Sequence, residues 1–213
     1  MNIQRLLDGI SLLGTSWVLW LLFAFSITGL AIIIERVVCY WASRDDVNQL
    51  GKRLAPLLRE QQWQAASKLL SESPSFEAKV ALASLDRAAL AQPSAASADE
   101  LMLGAMELGR LELERYLGFL STLGANAPFV GLLGTVIGIV HAFQQLDVSS
   151  GSLTEGLMAQ IGESLIATAA GLIVALPAIA AFNLFRRVVQ TRIARAEALR
   201  RTVLGCLRTS ESV

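Results

Sequence analysis

The chain has 213 residues, of which 54% are hydrophobic and 17% charged, and its 18 basic side chains balance 18 acidic ones. Soluble domains are about a quarter charged, so this composition excludes a secreted disulfide scaffold, a cytosolic enzyme and a nucleic-acid-binding module. The charges are also unevenly placed: residues 9–34 and 116–146 carry none, and residues 156–185 carry one, Glu163.

Each of these stretches exceeds the roughly 20 apolar residues that a spanning helix needs. The chain therefore reads as an integral membrane protein with three spans. Taken in order, residues 1–16 place Ile3, Leu6, Leu7, Ile10 and Leu13 at helical spacing, with Arg5 and Asp8 on the other side. This suits a short amphipathic helix lying on the outer face, and it suits an ordinary frayed terminus equally well. The first span covers 17–39, with Trp17 and Trp20 at one interface and Tyr40 and Trp41 at the other, as an aromatic belt requires. A secretory signal peptide is disfavoured, because the apolar core is too long and Glu35–Arg36 follows without a small-residue cleavage pattern.

Residues 40–115 form the only sizeable segment with a soluble character. Leu50, Leu54, Leu57 and Leu58, then Trp63, Ala66, Leu69 and Leu70, then Val80, Leu82, Leu85 and Ala89 recur at helical spacing. Pro56, Pro74 and Pro93 punctuate that pattern as breaks between short helices. Ser97 and Glu100 fit a capping box that opens a further helix near Ala98. From there to the end of the second span, 116–146, only Pro128 interrupts the pattern, so the spacing predicts one unbroken helix. A short outer loop, 147–155, leads to the third span, 156–185, and the Arg- and Ala-rich tail 186–213 continues that helix. The expected fold is thus an all-α membrane protein whose long second and third helices extend into a cytoplasmic helical bundle.

The basic residues fix the expected orientation. One precedes the first span, ten lie between the first and second, none lies in the 147–155 loop, and seven follow the third span. By the positive-inside rule the N-terminus is outside and the C-terminus cytoplasmic. Cys39 and Cys206 then face a reducing compartment, and neither has metal-ligand spacing. No metal site and no cofactor site is expected, and there is no phosphate-binding glycine loop.

The second and third spans are rich in small residues, among them Gly124, Gly131, Gly134, Thr135 and Gly138, then Gly162, Ala167, Thr168 and Gly171. Such residues let helix backbones approach closely. They serve packing within one chain or, since three helices enclose little, an oligomer whose second and third spans line a cavity. At about 1.5 Å rise per residue, Thr168 sits about 4 Å and Thr135 about 6 Å to the outer side of their span centres. Two hydroxyls on antiparallel spans thus share a level. Glu163 lies about 11 Å outward, inside a hydrocarbon half-thickness of about 15 Å. A carboxylate there is costly and ordinarily borders an ion or proton path; snorkelling to the interface and a structural hydrogen bond are the competing explanations. His141 falls near the outer end of the second span, where an interfacial location accounts for it. A Thr–Thr–Glu path suits a proton or monovalent cation.

The residues Ala127-Pro128-Phe129-Val130-Gly131-Leu132-Leu133-Gly134-Thr135-Val136-Ile137-Gly138-Ile139, then His141-Ala142-Phe143, resemble a motif of the ExbB/TolQ/MotA family of inner-membrane stator and energy-transducing proteins. The likeness resumes at Glu163-Ser164-Leu165-Ile166-Ala167-Thr168-Ala169-Ala170-Gly171-Leu172, then Pro177-Ala178 and Asn183. It covers roughly residues 120–186. It is closer to ExbB and TolQ, since flagellar MotA-type stators typically have a fourth span. The resemblance implies a non-enzymatic homopentamer around a central pore in the bacterial inner membrane. That pore would hold the spans of a dimeric ExbD/TolR-like partner, each with a membrane-embedded Asp, and would energise a TonB-like or TolA-like protein. Thr135 and Thr168 match the family's pore threonines and Glu163 its third-span glutamate, with Gly131, Gly134, Gly138, Gly171 and Pro177 in the packing positions. Two departures, Gln160-Ile161-Gly162 before the glutamate and Phe182 before Asn183, leave the subfamily open: TonB-type, Tol–Pal or gliding motor. A structural membrane scaffold is the alternative outside the motors.

Overall fold

The computed structural model describes residues 16–85, 94–144 and 155–211. Over them the chain is helical, with no strand among the described residues. The helices are α1 (Ser16–Ala42), α2 (Val47–Arg59), α3 (Trp63–Ser71), α4 (Phe76–Leu85), α5 (Ala95–Glu114), α6 (Leu117–Gln144) and α7 (Glu155–Glu211). Three helical stretches, Ser16–Ala42, Ala95–Gln144 and Met158–Thr209, are long and apolar enough to cross a membrane. Residues 1–15 and 145–154, which hold the amphipathic segment and most of the outer loop of the sequence reading, lie outside the described residues, as does the Gln92-Pro93 break.

Three local expectations need correction. The N-cap of the helix before the second span is Ser94, whose side chain accepts the backbone N–H of Ser97, so α5 opens at Ala95 instead of Ala98. Ser94 is extended, at φ −68° and ψ 143°, as an N-cap requires. Pro56 lies inside α2 and does not end it. Its ring removes one helical hydrogen bond, but both Pro56 and Lys52, whose carbonyl loses that partner, are exposed to water. The long helix is also not continuous: Arg115 leaves helical geometry at ψ 134° and Tyr116 is left-handed at φ 64°. A non-glycine residue there costs roughly 1–2 kcal/mol, and nothing in the side-chain pattern announces it.

The chain divides into two compact units, one of residues 1–35 and 116–183, the other of residues 36–115 and 184–213. In the first unit the first part of α1, all of α6 and the first part of α7 share a core of Val18, Leu22, Leu120, Leu123, Ala127, Ile137, Ala175 and Ala178. Within it, α6 and α7 approach backbone to backbone. A Cβ added to Gly131 would stand 2.6 Å from the Ala167 carbonyl oxygen and 3.0 Å from Thr168 Cα, and one on Gly171 would stand 2.6 Å from the Ala127 carbonyl oxygen. Gly134 lies against both Ala167 and Val18, and Gly138 is buried farther along the same helix. Pro128 and Pro177 both lie within helices, and Pro177 is exposed.

The second unit packs amphipathic helices such as α2 and α3 around α4, which is buried over most of its circumference. Leu50, Leu54 and Leu58 of α2, Ala66 and Leu70 of α3, and Phe76, Val80 and Leu85 of α4 are buried, as are Ala98 and Met102 of α5 and Val189, Leu199, Val203 and Leu207 of α7. A Schellman motif ends α2, with Gln62 N–H donating to Leu57 O at 2.9 Å and Gln61 left-handed. Two arginines are buried in this unit, Arg36 at 3% and Arg192 at 6% exposure. Each of them donates to a main-chain carbonyl, and Arg192 also to the Ser43 hydroxyl. Arg36 Nη1 donates to Glu112 O at 3.1 Å and Arg192 Nη2 to Tyr40 O at 2.6 Å, while Tyr40 OH donates to Leu113 O at 2.7 Å. These carbonyls belong to helix C-terminal turns, where the regular helical N–H partners run out and positive charge is favoured; Glu112 O also accepts the Arg115 N–H at 3.4 Å.

Two outcomes follow. Gly131→Ala lowers the unfolding stability in micelles by about 1–3 kcal/mol, since both facing atoms are backbone and cannot yield; Gly118→Ala on the same helix, which meets nothing within 4 Å, leaves stability unchanged or raises it by up to about 1 kcal/mol. The second concerns pH. The Glu197 carboxylate accepts hydrogen bonds from Arg200 and Arg201, and the Arg200 guanidinium above all lowers it from 4.5 to about 2. The stabilisation is therefore complete above about 4.5 and is lost as pH falls toward 2. Chemical unfolding measured across that window shows the loss, and Glu197→Gln flattens it.

Candidate functional site

The glycine seam decides what the hydroxyls of the first unit reach. Because Gly131 has no side chain, the Thr168 hydroxyl on α7 crosses to α6 and donates to Gly131 O at 3.2 Å, with Thr135 Oγ1 at 3.4 Å as its second acceptor. Thr135 is 6% exposed and donates its own hydrogen to Leu132 O, one turn back, at 2.7 Å. The two threonines placed at one level by helix rise are thus brought together. Both hydroxyl hydrogens are committed to carbonyls, so the pair presents lone pairs and no free donor. Such a pair accepts from a water, a hydronium ion or a small cation and offers nothing to an anion.

Glu163 is elsewhere. It lies on an exposed face of α7, and no hydrogen bond or ion pair reaches it among the described residues. On the helix it stands five residues before Thr168, so the two side chains point about 140° apart. The structural hydrogen bond weighed for it in the sequence is not present among these residues. Pro177, Ile166 and Ile173 are exposed on the same helix.

Other polar groups lie along the spans, and the sequence pairs none of them. Gln160 Nε2 lies 2.6 Å from His141 Nδ1, linking the start of α7 to the end of α6. With the amide as donor, the ring carries its proton on Nε2. Ser164, fully buried, donates to Gln160 O at 2.8 Å. Asn126, about 8 Å to the inner side of Gly131 by helix rise, is exposed and donates to Thr122 O at 2.9 Å. The signal for His141–Gln160 was available: both lie about 15–16 Å outward of their span centres by the same rise arithmetic that paired the threonines. Cys39 and Cys206 are both free thiols.

A sequence model of the MotA/TolQ/ExbB proton channel family matches residues 72–205. Among curated relatives, a biopolymer transport protein ExbB of Xanthomonas campestris pv. campestris is 44% identical over 84 residues, which is 39% of this chain and 33% of that protein. A putative biopolymer transport protein ExbB-like 2 of Helicobacter pylori is 46% identical over 77 residues, covering 36% of this chain and 51% of the relative. The Tol-Pal system protein TolQ of Pseudomonas aeruginosa is 45% identical over 74 residues, covering 35% and 32%. The matched stretch therefore spans from about a third to about half of these relatives' own length.

The interhelical bond is testable alone. Thr168→Val lowers stability in a denaturant titration by about 0.6–1.7 kcal/mol, the range for hydrogen bonds between membrane helices, whereas Thr168→Ser retains most of it.

Proposed function

The chain belongs to the MotA/TolQ/ExbB proton channel family, and from that premise we propose that it is the ion-path subunit of a proton-driven motor in the bacterial inner membrane. The observation that carries the proposal is the Thr135–Thr168 pair, two hydroxyls held as acceptors by a seam with no room for a side chain. The Thr168 bond to the other helix serves packing, but Thr135 spends its hydrogen on its own helix and so adds at the same level an acceptor that packing does not require. Glu163 supports the same reading. An exposed carboxylate at hydrocarbon depth is tolerated where it faces water or another chain.

In this reading several copies, five by resemblance to the family, surround a pore lined by their second and third spans. The spans of an ExbD/TolR-like dimer occupy the pore, each with an Asp that takes up and releases the proton. Glu163 attracts the proton near the outer mouth, and Thr135 and Thr168 receive it deeper in. Gly131, Gly134, Gly138, Gly171 and Pro177 shape the helices that hold them. A charge falling through about 100 mV releases about 2.3 kcal/mol, and that energy is delivered through the partner to a TonB-like protein that works outer-membrane transport. The N-terminus lies in the periplasm and the C-terminus in the cytoplasm, as the distribution of basic residues favours. The Pseudomonas aeruginosa relative named as a TolQ of the Tol-Pal system, at nearly the same identity as the ExbB relatives, supports a second reading, in which the same motor serves a TolA-like protein.

Reconstitution with the partner in liposomes that report a pH gradient tests the proposal. Glu163→Ala and Thr135→Val each reduce proton flux by about a hundredfold, the scale of a lost proton-transfer group, while the assembly keeps its size. Full flux in both variants would remove the pore assignment, and absence of flux from the unaltered complex would make the chain a scaffold.

A further inference from the structure

The second unit holds a cavity of about 660 Å³ that the ion path does not use. It opens between the end of α1, the turn after it, α4 and the part of α7 that follows Leu184. That volume lies within the range of small-molecule sites. Its lining divides by chemistry. Trp41 and Leu184, 75% and 59% exposed, and Val37 give one apolar rim. Arg44, Arg187 and Arg195 give a cationic rim, and none of the three has an ion pair among the described residues.

Against these stands one acid that is enclosed. Glu77, in the first turn of α4, is 2% exposed and lines the cavity. Its carboxylate has only its own backbone amide as a hydrogen-bond partner among the described residues. The nearby buried Arg192 does not pair with it, because its hydrogens go to Tyr40 O and to Ser43 Oγ at 2.7 Å. Asp45, also on the wall, is engaged by the Ser73 hydroxyl. Burial pushes the Glu77 carboxyl above its ordinary value, and its amide, Arg192 and Arg195 only partly oppose that. A carboxylate in such a position is stabilised by an incoming cation that also donates hydrogen bonds.

We propose that this cavity seats the headgroup of an amine-bearing glycerophospholipid from the adjoining leaflet, with its ammonium on Glu77 and its phosphate on Arg44, Arg187 and Arg195. The charge order within the cavity selects the class. A phosphate at the arginine rim satisfies cations that have no carboxylate partner, and basic pockets beside membrane helices characteristically hold lipid headgroups. A purely anionic headgroup adds nothing to the partial opposition that Arg192 and Arg195 give the buried Glu77 carboxyl. A choline headgroup brings the charge but has no N–H to give. The apolar rim of Val37, Trp41 and Leu184 lies where acyl chains leave the headgroup, which favours a lipid over a soluble phosphoamine.

This inference does not rest on the ion-path reading, and its readout is lipid, not flux. The full chain is placed in nanodiscs of equal parts phosphatidylethanolamine, phosphatidylcholine and phosphatidylglycerol, released into mild detergent, and its retained lipid counted by native mass spectrometry. The expected result is about one retained phosphatidylethanolamine per chain. Glu77→Gln, an isosteric change, lowers its preference over phosphatidylcholine by about tenfold. The double variant Arg187→Ala/Arg195→Ala, at two exposed positions, lowers retention of every phospholipid. Retention of the three lipids in equal amounts, or a Glu77→Gln profile like that of the unaltered chain, would overturn the proposal. Displacement of the lipid by equimolar soluble glycerophosphoethanolamine would replace it with a soluble ligand. Loss of oligomer in the double variant with the lipid count unchanged would assign the cavity to a second copy of the chain.

Discussion

The contact between Gly131 and Gly171 is the constraint on which the rest of the first unit depends. Lipid chains are as apolar as leucine, so helices in a bilayer gain little by burying leucine against leucine. They gain by close packing and by hydrogen bonds that need short reach. With carbonyl oxygens of each helix occupying the space of the other's absent Cβ, a threonine hydroxyl extends across the gap to a backbone carbonyl. Replace either glycine with a larger residue and the helices part, the Thr168 bond lengthens, and Thr135 loses its neighbour. Packing and polarity in this bundle are therefore one feature.

The second unit solves a different problem, that of holding two guanidinium groups out of water. Buried charges are ordinarily paired with opposite charges, and here hydrogen bonds run to carbonyls and to the Ser43 hydroxyl. Arg36 and Arg192 bond carbonyl oxygens in the last turns of helices, and each guanidinium lies within 6 Å of the Tyr40 ring centroid, at cation–π distance. The tyrosine in turn bonds Leu113 O and packs edge-on to Phe185. One aromatic residue thus joins the end of α1 to α5 and α7.

Much of this was readable from residue order. The spans follow from where charges are missing, because the cost of a charge in hydrocarbon acts on each residue separately and leaves its mark in composition. Helix rise put Thr135 and Thr168 at nearly one level, and the contact between them is what the structure adds. What escaped were features set by three-dimensional context. Tyr116 adopts a conformation that sequence assigns to glycine, and only the bonded carbonyls of Glu112 and Leu113 show how that helix end is held. Ser94 and Ser97 are both plausible caps, and the backbone geometry of Ser94 decides between them. Glu77 reads as one acid at the start of a mostly apolar helix; that it lines a cavity together with α7 residues, more than a hundred positions later, shows only in three dimensions. The direction of Glu163, away from the threonines, was open to the same angular arithmetic that the level calculation left aside.

The left-handed turn at Tyr116 has a consequence for how this chain tolerates change. Inserting one residue into an uninterrupted helix rotates everything beyond it by about 100°, which would swing the glycine ridge out of its seam. An interruption resets that rotational phase. With Arg36 and Tyr40 holding the carbonyls of Glu112 and Leu113, a residue gained or lost nearer Ala95 has to be absorbed within α5 before it can alter the azimuth of Gly131 and Thr135.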